Sequence, residues 1–87
     1  MIIQQHKQFT KHYQKRIASN SSLDVRFKSR LNLFILKPSD PLLKDHQLTG
    51  KKSSYRAFSI TGDIRVIYKI ENNDIRLYDI GTHNQVY

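Results

Sequence analysis

Four histidines, His6, His12, His46 and His83, are the side chains in this chain whose ordinary titration range suits proton transfer near neutral pH. A histidine that gives or takes a proton in a transition state is typically worth about 10²- to 10⁴-fold in rate. Asp63 offers a carboxylate that would be a weaker base unless buried, or that would orient a histidine. Arg56 and Arg65 carry planar guanidinium groups, which bind phosphate in bidentate fashion. Tyr87 offers a ring for stacking on a base. Each of these also has an ordinary explanation. His6 and His12 read as solvated or cap-like groups in or near a first helix, and a lone loop histidine is commonly incidental. Asp63 follows Gly62 as a plain turn residue, strand arginines keep edges soluble, and a terminal tyrosine frays.

Several other chemistries are excluded. There is no cysteine, so neither a disulfide framework nor a thiolate metal site is available. The histidines and aspartates lack the close spacings of a metal site, and no metal or other cofactor is expected. There is no glycine-rich phosphate loop and no serine-hydrolase elbow. No apolar run approaches the roughly 20 residues that span a bilayer, and Met1–Gln5 has no signal-peptide character. A soluble cytoplasmic protein with no membrane partner is expected.

The charge points to a polyanion. The net charge is +8, and it is uneven along the chain. Residues 1–30 hold seven basic and one acidic residue, residues 31–60 five and two, and residues 61–87 three and four. A cationic body of this kind concentrates nucleic acid or an acidic protein and speeds encounter with it.

These residues need elements to position them. The chain has 87 residues, room for one domain spanning 1–87. Ile2-Ile3 suggests a short first strand. Phe9, Tyr13 and Ile17 recur at helical spacing, with lysines on the other faces. Ser19-Asn20-Ser21-Ser22 breaks that helix and offers an N-cap to a second, whose apolar stripe is Val25, Phe27, Leu31, Phe34 and Ile35. Pro38 stops it. Residues 38–52 read as a loop. Residues 55–60, 64–70 and 75–80 read as strands joined by turns at 61–63 and 71–74. In the last strand, strict alternation puts Ile75, Leu77 and Asp79 on one side and Arg76, Tyr78 and Ile80 on the other. The expected fold is α+β: two N-terminal helices packed on one face of a small, twisted antiparallel sheet. The other face, bearing Arg and Tyr, would be half wet and suited to a polyanion.

Four strings in this order resemble a known family. Lys44-Asp45-His46-Gln47-Leu48-Thr49-Gly50 resembles the KDHPLxG loop of YafQ-type toxins. Tyr55-Arg56 is similar to the pair that opens that family's next strand. Asp63 followed by Val66-Ile67-Tyr68-Lys69 resembles its D…IYK strand. Gly81-Thr82-His83, with Tyr87 four residues after the histidine, resembles its C-terminal segment. The motifs cover residues 38–87, and over residues 1–37 the likeness is one of element pattern alone.

The resemblance, to the YafQ branch of the RelE superfamily of toxin–antitoxin modules, implies a compact α+β fold and a ribosome-dependent mRNA endonuclease. It implies mRNA and the ribosome as partners and a cognate antitoxin that silences the activity. Such cleavage uses the RNA's own 2′-hydroxyl as nucleophile and needs a base, an acid and cations for the phosphorane. His83 would be the acid, and His46 or Asp63 the base. Arg56 and Arg65 would hold phosphate, Tyr87 would stack on a base, and Lys51 and Lys52 would grip RNA without reading sequence. The chain departs from the family at Ser59, where a further histidine is usual, and at Ile64, where an aromatic often follows the turn aspartate. Ser59 cannot exchange protons near neutral pH, which puts the division of roles in question. Two other readings compete: a non-enzymatic ParE-like toxin that inhibits a protein target such as gyrase, for which His83 would be superfluous, and a plain basic RNA-binding module.

Overall fold

The computed structural model describes residues 2–87. Strand β1 (Ile3–Gln5) leads into helix α1 (Lys7–Arg16) through His6. His6 is the helix cap, its ring Nδ1 accepting from the Gln8 N–H at 3.1 Å. Helix α2 (Ser21–Leu36) starts at Asn20, whose side chain accepts from the Leu23 N–H, and ends at Lys37, just before Pro38. Both the cap and the stop lie where the sequence indicates.

The expected loop 38–52 is less irregular than its composition suggests. It holds 3₁₀ turns at Pro41–Leu43 and Gly50–Lys52, with a two-residue strand β2 (His46–Gln47) between them. Strands β3 (Arg56–Ser59), β4 (Ile64–Glu71) and β5 (Asp74–Thr82) come next, and a helical turn α3 (His83–Val86) closes the chain. The β4–β5 hairpin turns through Asn72 and Asn73, both in the left-handed region that asparagine tolerates.

The sheet order is β1-β5-β4-β3-β2. Strands β3 to β5 are the expected antiparallel meander; β2, from the segment read as a loop, adds to it antiparallel at β3, whereas β1 lies parallel to β5 and makes the sheet mixed. Because β1 pairs only with residues 75–77, the rest of β5 would be an open edge. Helix α1 lies beside it, and Arg16 donates from Nη1 to the Ile80 carbonyl at 2.9 Å.

The main core fills the space between the two helices and one sheet face. Phe9, Phe27, Phe34, Phe58, Tyr68, Leu77 and Ile80 are buried there. Phe34 stacks on Phe58 and meets Tyr68 edge-on. The stripe of α2 runs through Leu23, Phe27, Leu31 and Phe34, each three or four residues from the last. Val25 and Ile35 are therefore not in it. Val25 stands two residues, about 200° of helix, from Phe27 and is 66% exposed; Ile35 is exposed as well.

The last strand also departs from strict alternation. Tyr68 pairs with Leu77 and Ile67 with Asp79, so Tyr78 is an extra residue, a β-bulge. The bulge turns Ile80 inward with Ile75 and Leu77, and turns Asp79 to the outer side with Arg65 and Ile67. On that outer face Leu48, Ala57, Ile67 and Val86 form a second, smaller cluster.

These faces separate two substitutions on α2. Phe27→Ala should lower the unfolding free energy by roughly 3–5 kcal/mol, and Val25→Ala by less than about 0.5 kcal/mol. Urea unfolding measures both, and a large loss in Val25→Ala would contradict the packing described.

Candidate active site

The outer sheet face gathers most of the candidate residues through α3. The Thr82 N–H donates to Gln85 Oε1 at 2.8 Å, which closes the turn on itself. Val86 inserts into the outer apolar cluster, and Lys52 donates from Nζ to the Val86 carbonyl at 2.9 Å. This pins the C-terminal residues, so Tyr87 is not frayed. Its ring meets His83 edge-on at 4.5 Å, and the Arg65 guanidinium lies 5.7 Å from the Tyr87 ring centre. Burial pushes the Tyr87 phenol upward, against the pull of Arg65.

His46, Leu48, Thr49, Lys52, His83 and Tyr87 line one cavity of about 370 Å³. The two histidines that face it are held in complementary ways. His46 donates from Nδ1 to the Lys44 carbonyl at 2.9 Å. In a neutral ring that places the proton on Nδ1 and leaves Nε2 with its lone pair. His83 has the opposite arrangement. Arg65 Nη1 donates to His83 Nδ1 at 3.4 Å, a long contact, and a neutral His83 accepting it carries its proton on Nε2. Arg65 stands beside Gly81 in the register, on the same face as Ser59.

Three expected residues lie elsewhere. Arg56 points to the helix side, where Nε donates to Tyr68 Oη at 3.2 Å and to Asp45 Oδ1 at 3.4 Å. Tyr68 donates to the same carboxylate at 2.7 Å. Burial, then Asp45, raises the Tyr68 phenol well above its usual range. Arg56 thus ties the loop carrying His46 to the sheet, on the side opposite Ala57, its neighbour in an alternating strand. Asp63 is exposed in the β3–β4 turn, its N–H donating to Thr61 Oγ1, and its side chain does not line the cavity. Lys51 is exposed and off the cavity wall, unlike Lys52.

Several contacts at the site were not apparent from sequence. A Cβ at Gly81 would come within 2.5 Å of Gln85 Oε1 and 2.8 Å of Arg16 Nη1, so the bare backbone lets both side chains close over the strand. Arg16 is held by Asp79 and the Ile80 carbonyl. His12, expected to be solvated or cap-like, instead donates from Nδ1 to Asp79 Oδ1 at 2.6 Å. Nothing in their spacing marks these partners, because Asp79 lies 63 residues from Arg16 and 67 from His12. Among the described residues no group of three His, Asp or Glu could hold a metal ion, and no helix is long and apolar enough to cross a membrane.

The model of the YafQ family, bacterial toxins of type II toxin–antitoxin systems, matches residues 1–87, and the chain belongs to that family. A copper-bound mutant toxin from Helicobacter pylori has 25% identity and a TM-score of 0.81, with 100% of this chain and 99% of that one covered. YafQ from E. coli strain BL21(DE3) has 27% identity and a TM-score of 0.75, with 98% and 96% covered. The YoeB/ParE toxin from Agrobacterium tumefaciens, at 15% identity and a TM-score of 0.80 with 95% and 99% covered, shares the fold. Comparison with curated proteins finds no match.

Gly81→Ala should displace Gln85 and Arg16 and loosen the turn that carries His83. The expected cost, like that of a lost cap, is about 1 kcal/mol, or roughly a 4–8 °C fall in Tm. Calorimetry, with His83 ring signals followed by NMR, checks this; an unchanged Tm and unchanged His83 signals would contradict the packing over Gly81.

Proposed function

We propose that this toxin is a metal-independent endoribonuclease that cuts mRNA on the ribosome. The observation that carries the reading is the complementary hydrogen bonding of His46 and His83 on one cavity, with Lys44 fixing one ring and Arg65 the other. His46 Nε2 takes the proton of the 2′-hydroxyl, and the freed oxygen attacks the adjacent phosphorus. The bond from phosphorus to the 5′-oxygen breaks, and His83 Nε2 gives that oxygen its proton. The products are a 2′,3′-cyclic phosphate and a 5′-hydroxyl. Arg65, only loosely bonded to His83, moves to the phosphate as it binds. As the acid His83 is the imidazolium, which becomes a neutral ring when Nε2 gives up its proton. Lys52 shares the charge of the phosphorane. Tyr87 holds His83 edge-on and offers its ring to a base.

The rest of the cationic body, Lys51 with Lys7, Lys11 and Lys15 on exposed surface, meets ribosomal RNA without reading sequence. Asp63 is left as a turn residue and Arg56 as a brace for the His46 loop. A complex of DinJ with YafQ from E. coli has been solved, its matching chain 28% identical to this one over 98% of it. By analogy the partner here is an acidic, partly disordered antitoxin that wraps the basic surface in the cytoplasm.

Ribosomes with a programmed, vacant A site test the reading under single-turnover conditions. The wild type should cut the A-site codon, His83→Ala and His46→Ala should each cut about 10²- to 10⁴-fold more slowly, and Val25→Ala should cut normally. Intact mRNA despite bound wild-type protein would leave a binding toxin or a plain RNA-binding module instead.

A further inference from the structure

A second cavity, of about 360 Å³, opens on the same sheet face; it shares Lys52 with the wall of the first and Val86 with the outer apolar cluster. Its walls are aromatic. His6 stacks on Tyr78 with ring centres 4.7 Å apart and planes at 22°, and Tyr55 meets Tyr78 edge-on at 5.0 Å. Cations flank these rings without filling the cavity. Lys69 lies 5.7 Å from the Tyr55 ring centre, and Arg76 5.8 Å from that of Tyr78. Asp79 also lines the cavity, and its three hydrogen bonds, from His12, Arg16 and the Ile80 N–H, all go to Oδ1. Its Oδ2 is left as an acceptor.

The nuclease chemistry assigned above uses none of these rings. We propose that this cavity is a nucleotide subsite, which takes the base of a nucleotide flanking the cleaved bond. The inference rests on the endoribonuclease reading. The three rings are half-buried at the cavity wall, and aromatic rings flanked by cations are the usual platform for unstacked bases. The shared wall at Lys52 places the next phosphate of one continuous strand between the two cavities. Asp79 Oδ2 accepts an N–H and so favours a base that presents an exocyclic amino group. A peptide segment is the poorer fit. The slot ends in rings rather than along a free strand edge, so it offers no row of backbone partners.

The test uses ribosomes with a vacant A site and mRNAs carrying an abasic nucleotide at successive positions around the cut. At one flanking position, loss of the base should slow wild-type cleavage about tenfold, as expected for one lost stacking contact. Val25→Ala, on the exposed face of α2, should behave as wild type. Tyr78→Ala should be about tenfold slower on intact mRNA and lose nothing further at that abasic position. Tyr55→Leu, expected to show the same pattern, covers the case in which Tyr78→Ala fails to fold. Losses that multiply would overturn the subsite, as would ring variants that weaken antitoxin binding while cutting normally; in both cases the nuclease reading stands. Absence of cutting by the wild type would instead sink that reading, and the subsite with it.

Discussion

The extra residue at Tyr78 decides which side chains of β5 the protein buries and which it presents. Without the bulge, Ile75, Leu77 and Asp79 would share the helix-side face, and a carboxylate would sit in an apolar core. With it, Ile80 completes the core, while Asp79 turns outward to meet His12 and Arg16 from α1. The same shift sets the side on which Gly81 faces Arg65 and from which the chain enters α3. Bulges bend a strand and re-aim the residues beyond them, and here those residues lead directly into the turn carrying His83.

The outer face depends on a small amount of packing. Leu48, Ala57, Ile67 and Val86 form a modest apolar cluster, and its members come from the loop with His46, from two strands and from α3. One plug therefore ties the two histidines to a common scaffold. The brace of Arg56, Tyr68 and Asp45 fixes the same loop from the helix side. Chemistry that needs two groups held in register is better served by such cross-ties than by a flexible tail.

Much of this was legible in the sequence. The 3.6-residue spacing of Phe9, Tyr13 and Ile17, the cap at Asn20, the stop at Pro38 and the turn at Asn72-Asn73 are local signals, and local physics decides them. The family strings singled out His46, His83 and Tyr87, and cationic chemistry singled out Lys52 and Arg65; the fold brings all five to one face. What escaped was non-local. Strict alternation puts Asp79 with Ile75 and Leu77, a break the sequence does carry, but that Tyr78 is the extra residue is known only from the partner strand's register. Val25 and Ile35 are apolar like their buried neighbours, and only the choice of helix face separates them. Arg56 sits in a family string, yet strand alternation sends it to the opposite side from His83. His12 and Arg16 meet Asp79 only once α1 lies along the β5 edge.

The central claim is that a phosphate of RNA sits between His46 and His83. A structure of the toxin on a ribosome would test it directly, using mRNA 2′-O-methylated at the attacking hydroxyl to block the reaction. The account predicts the methylated 2′-oxygen next to His46 Nε2 and the leaving 5′-oxygen within about 2.6–3.2 Å of His83 Nε2, with Arg65 on a phosphate oxygen. A phosphate seated instead on the helix side at Arg56, or RNA that leaves both histidines facing solvent, would contradict it.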